Sequence, residues 1–108
     1  DITRGENLSP EFLAMNDRGK VPVMKLPDGR TMAESNAILH YLADGSELLP
    51  TDPWEHAKTL QWLFFEQYSH EPYIAVARFI RMFLPADHPR RAHLEALTAS
   101  GNEALAAM

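Results

Sequence analysis

Lys20-Val21-Pro22-Val23 and, beyond a turn, Ala33-Glu34-Ser35-Asn36-Ala37-Ile38 decide how this chain is read. The first stretch places a proline in an apolar run from Val21 to Leu26, a pattern that predicts a buried strand. Pro27-Asp28-Gly29-Arg30 then forms a turn, because Pro presets φ and Gly accepts a positive φ. Thr31 to Ala33 returns as the antiparallel partner. From Ser35 the apolar period becomes helical, with Ile38, Tyr41 and Leu42 on one face and Gly45 as the stop. Upstream, Ser9-Pro10 announces a helix carrying Phe12, Leu13 and Met15 and stopped by Gly19.

Downstream the character changes. Leu48-Leu49-Pro50-Thr51 is a connector, and the chain divides there into residues 1–47 and 48–108. Asp52-Pro53-Trp54-Glu55 opens the next helix as an Asp variant of the capping box. Leu60, Trp62, Leu63, Phe64, Phe65 and Tyr68 give it a broad apolar surface, and Pro72 predicts a kink or break near Glu71. Helical character resumes through Ile74, Phe79, Ile80 and Phe83. A last helix starts near Asp87 to Pro89, with a seam of Leu94, Leu97, Gly101, Leu105 and Met108.

Composition narrows the function classes. A chain of 108 residues with 45% hydrophobic content suffices for one core, although the pattern reads as the back of one domain and the front of another. A net charge of -5 argues against nucleic acid, whose phosphates need clustered Lys and Arg. Arg90-Arg91 is the only basic doublet and reads as a solvated helix start. Cysteine is absent, which excludes disulfides, cysteine zinc sites and thiol redox centres within these residues. No apolar run approaches the about 18 residues of a membrane span, and no signal-peptide pattern opens the chain. A cytoplasmic protein is expected, with neither nucleic acid nor membrane as partner.

The spaced motifs, in their order, resemble the glutathione transferase family from about Thr3 to Leu84. The resemblance implies an α/β, thioredoxin-like N-terminal part (here helix, antiparallel hairpin and helix) followed by an all-α C-terminal part. It also implies glutathione as substrate, a small electrophile as second substrate, a detoxifying role and a homodimer. The family's thiolate-stabilising residue lies in a first strand–helix unit that would precede Asp1, so the catalytic residue is unassigned. Whether the chain is itself an enzyme is left open.

The resemblance carries over to particular residues. It implies a cis bond at Val21-Pro22, turning Val21 outward so that its N–H and C=O pair with the tripeptide's backbone. Glu34 would accept from the γ-glutamyl ammonium. Ser35, capping the next helix, would hold the neighbouring carboxylate with help from the helix's positive end. Lys20 would meet the glycyl carboxylate. Taken singly, a trans proline at a strand start and a Ser cap after a solvated Glu are the commoner meanings of these residues. Asp17 stands where many relatives have Pro, and Asn36 where many have Arg, which leaves a second carboxylate anchor in doubt.

For the electrophile pocket, Tyr68 and Gln67 are the candidates, since they approach Pro72. The five histidines (His40, His56, His70, His88 and His93) form no metal-binding spacing, and no metal is expected. Gly19-Lys20 lacks the rest of a phosphate loop, and Glu66 with Glu71 makes no glycosidase pair. The competing function is a non-catalytic interaction or regulatory module on the same scaffold; residues upstream of Asp1 would separate the two.

Overall fold

In the computed structural model, which describes residues 1–108, Ser9 starts the first α-helix as expected. Its hydroxyl accepts from the Phe12 N–H at 3.2 Å, and Pro10 occupies the first helical position of α1 (Pro10–Leu13). Two short 3-10 turns, Ile2–Arg4 and Glu6–Leu8, precede it. The helix is one turn long and ends well before Gly19. Asn16 ends the winding: its backbone C=O accepts from Gly19 N–H and its side chain from Arg18 N–H.

The hairpin follows. Strands β1 (Val23–Lys25) and β2 (Thr31–Ala33) pair antiparallel, with Val23 opposite Ala33, Met24 opposite Met32 and Lys25 opposite Thr31. Gly29 N–H donates to Leu26 C=O and Leu26 N–H to Arg30 C=O, with Gly29 at φ 90, so a three-residue loop closes the ladder. Asp28 stiffens that loop by accepting from both the backbone N–H and the Nε of Arg30, at 3.0 and 2.8 Å.

The strand is shorter than Val21–Leu26 and half-buried rather than buried. Pro22 has no N–H to give to a ladder, and a strand with one neighbour keeps an edge open. Helix α2 (Ser35–Ala43) comes next, and Gly45 at φ 73 follows its end. Tyr41 and Leu42, expected on the apolar face, are exposed.

These elements make up one unit, Asp1–Thr51; the second is Asp52–Met108. Asp52 Oδ1 accepts from the N–H groups of Trp54 and Glu55 at 3.0 and 3.1 Å, starting α3 (Pro53–Phe65). Asp52→Ala is expected to cost about 1 kcal/mol by orphaning these donors. A lower midpoint in urea at unchanged slope checks it.

Pro72 does not break the helix. Winding widens to a π-helix over Glu66–Ala75 and returns to α geometry in α4 (Val76–Phe83). Proline lacks an N–H and its ring crowds the carbonyl four residues back, so an i→i+5 register relieves both conflicts. Ala77 and Ile80 of α4 are buried, Ile80 at 1% exposure.

The last helix begins as a 3-10 turn, Pro89–His93, whose first N–H groups His88 caps by accepting from Arg90 N–H at Nδ1. It continues as α5 (Leu94–Ala106). Its seam runs through Leu94, Leu97, Gly101 and Ala104. Leu105, though four residues beyond Gly101, is exposed, as is Met108, which lies past the end of α5. The expected close approach at Gly101 is present: a Cβ there would stand 3.1 Å from Ile74 Cγ1 of the π segment.

The basic doublet is not a solvated helix start. Arg91 folds back so that Nε donates to Pro85 C=O at 2.7 Å and Nη2 to Leu84 C=O at 2.6 Å and Arg81 C=O at 3.3 Å. It thereby serves carbonyls at and just beyond the negative end of α4. Arg90 lies over the Phe79 ring, 5.9 Å from its centroid. No helix of the chain is long and apolar enough to cross a membrane.

Candidate functional site

Beyond Val23 and Ala33 the ladder ends, and the two strands open into a short fork. Lys20-Val21-Pro22 forms one arm and Glu34-Ser35 the other. Continuing the register sets Pro22 opposite Glu34 and Val21 opposite Ser35. The residues singled out in sequence therefore share one end of the hairpin.

The Val21-Pro22 peptide bond is cis. Val21 is 53% exposed, and neither its N–H nor its C=O enters the ladder or the loop hydrogen bonds around it. A strand edge with its donor and acceptor open is a template for an extended peptide.

On the facing arm, Glu34 is the one non-glycine residue with positive φ, at φ 70 and ψ 114. Such a conformation costs of order 1–3 kcal/mol and persists where its surroundings hold it, often at ligand sites. Glu34, not Ser35, is the N-cap of α2, and its side chain makes no capping bond. Ser35 is the first helical residue, because the left-handed turn at Glu34 delays the helix by one position. Its hydroxyl thus sits at the positive end of the helix, where the N-cap side chain makes no bond to the N–H groups. The Glu34 carboxylate and the Lys20 ammonium are exposed and enter none of the chain's ion pairs.

The arm carrying Val21 is braced from behind. Asn7 Nδ2 donates to Gly19 C=O at 2.6 Å, and Asn16 Nδ2 donates to Lys20 C=O at 2.9 Å. Gly19 is buried at φ 61, and a Cβ there would fall 2.9 Å from Leu8 Cδ2. Sequence reasoning passed over Asn7 and Asn16. The usable signal was Asn16 followed by Gly19, a pairing that favours an Asx-type turn.

An open backbone pair, a carboxylate and an anion-accepting helix start on one hairpin end coincide with independent likenesses. The family description "Glutathione S-transferase, N-terminal domain" matches residues 1–44. A solved glutathione S-transferase from Pseudomonas fluorescens is 52% identical with a TM-score of 0.93, all of this chain aligning with 54% of that one. Residues 1–44 are those of a glutathione S-transferase N-terminal domain. A probable glutathione S-transferase of Zea mays, BZ2, is 42% identical over 76 residues, 60% of this chain and 32% of that protein. The transferase URE2P6 from Phanerochaete chrysosporium, solved in complex with oxidized glutathione, is 28% identical with a TM-score of 0.81, over 99% of this chain and 51% of its own. The chain thus spans about half the length of the solved structures it matches.

In the second unit, Tyr68 and Gln67 both fall within the π-helix. Tyr68 is 84% exposed, and Gln67 Nε2 donates to Glu66 Oε2 at 2.7 Å. π-Helical turns concentrate at functional sites, which suits two residues named for a pocket. His70 Nδ1 stands 4.0 Å from Glu66 Oε1 on the same segment. No group of three or more His, Asp or Glu is arranged to hold a metal ion.

Proposed function

We propose that this segment supplies the glutathione grip of a glutathione transferase that conjugates the tripeptide's thiolate to a small electrophile. The observation that supports the reading is the hairpin's open end: Val21's backbone stays outside the ladder, and continuing the register sets it opposite Ser35. Val21 N–H donates to, and its C=O accepts from, the backbone of the middle residue. Glu34 accepts from the γ-glutamyl ammonium, while the Ser35 hydroxyl and the start of α2 hold the adjacent carboxylate. Lys20 pairs with the glycyl carboxylate. Held at both ends and in the middle, the sulfur is confined, and attack on the electrophile becomes nearly intramolecular. Gln67 and Tyr68 face the electrophile. The protein works as a homodimer, a reading supported by the large apolar side chains that the second unit exposes, Trp54 and Phe64 at 71% each.

Calorimetric titration of the full-length protein with glutathione, followed by incubation with a halogenated nitroaromatic compound, tests the reading. Saturable binding and a thioether product are expected. No binding would overturn it. Binding without product would favour the non-catalytic module on the same scaffold.

A further inference from the structure

Asn16 uses every polar group it has. Its backbone N–H donates to Phe12 C=O at 3.0 Å, and its backbone C=O accepts from Gly19 N–H at 2.9 Å. Its Oδ1 accepts from Arg18 N–H at 3.2 Å and its Nδ2 donates to Lys20 C=O at 2.9 Å. The orientation of the amide is settled by chemistry, since a backbone N–H only donates and a carbonyl only accepts.

The last of these bonds bears on the site. Lys20 C=O and Val21 N–H belong to one peptide group. That group is planar and trans, so its N–H points opposite to its C=O. Gripping the carbonyl from one side aims the amide to the other. A carbonyl that accepts a hydrogen bond also polarises its peptide group and makes the N–H a better donor. We infer that Asn16 is a positioning residue for glutathione: through Lys20 C=O it orients and strengthens the Val21 N–H donor. This inference rests on the binding function proposed above. Asn16 touches no substrate; it acts through the peptide group that does. Asn7 holds the preceding carbonyl, Gly19 C=O, so that the arm cannot swing to compensate.

Asn16→Asp isolates the effect. One carboxylate oxygen still accepts from Arg18 N–H, preserving the turn, while the other cannot donate to Lys20 C=O. In the full-length protein the variant is expected to keep the parent's unfolding temperature. Without ligand, it should shift the Lys20 carbonyl carbon and Val21 amide resonances. Its glutathione dissociation constant should rise roughly three- to tenfold, the range for one neutral hydrogen bond. The Michaelis constant for the electrophile should not move. Asn16→Ala, which also frees Arg18 N–H, should lower affinity and unfolding temperature together. If Asn16→Asp shifts the two resonances but binds glutathione like the parent, while Ser35→Ala binds weakly, the role of Asn16 is refuted and the binding function stands. A parent protein that does not bind glutathione removes both.

Discussion

Replacing Ile80 by Ala is expected to destabilise the protein by about 2–5 kcal/mol, the range for removing a large aliphatic side chain from a packed core. Ile80 is the one large side chain below 2% exposure, and the other buried residues of its helix and of α5 are small: Ala77, Gly101 and Ala104. Small neighbours cannot swing in to refill the space, so the cavity persists and the cost should lie in the upper part of the range. For a unit of this size each kcal/mol lowers the unfolding temperature by roughly 4–8 °C. Thermal unfolding followed by circular dichroism checks it. A fall of less than about 4 °C would mean that this helix face is not the core of the second unit. Ile80→Val should lose only about 0.5–1.5 kcal/mol, because most of the volume is kept.

At the hairpin end the expected loss is in binding rather than stability. Ser35→Ala removes a hydroxyl from the start of α2, where it is read as bonding a carboxylate, a bond worth about 1.5–3 kcal/mol. Glutathione should bind roughly one to two orders of magnitude more weakly. Glu34→Gln should weaken it similarly by losing the charge proposed to meet the ammonium. Both variants should raise the Michaelis constant for glutathione and change that for the electrophile much less, because the proposed role of each residue is toward glutathione alone. Their unfolding temperatures should stay near the parent's, since neither side chain takes part in capping α2. Two variants that hold immobilised glutathione as tightly as the parent would remove this pair from the site.

How far the site was legible depended on whether a residue acts through its own neighbours in the chain. The hairpin was readable because Pro27, Asp28 and Gly29 dictate their own turn, and the register then brings Val21 and Ser35 to one end. Asn16 was missed because its contact with Lys20 C=O depends on how the loop curls after α1. The positive φ of Glu34 had no signal at all, since Glu carries no preference for that region. Arg91 misled for a related reason: as a doublet it looked solvated, yet its partners are the carbonyls of a helix end several residues earlier.

By itself, then, the sequence determined the order of elements, the capped starts at Ser9 and Asp52, the hairpin and its loop, and the family. These rest on local φ preferences, side chains that cap within three residues, and periods of two and 3.6, all fixed over short range. Only the tertiary structure decided the rest. It turned the Pro72 interruption into a π-helix, moved the α5 seam from Leu105 to Ala104, and made Ser35 a first helical residue instead of a cap. The first two share a physical reason. A helix facing a choice between losing a hydrogen bond and rewinding, or between two nearly equivalent faces, differs by little in local energy. Packing then selects the outcome, as Ile74 against Gly101 does here.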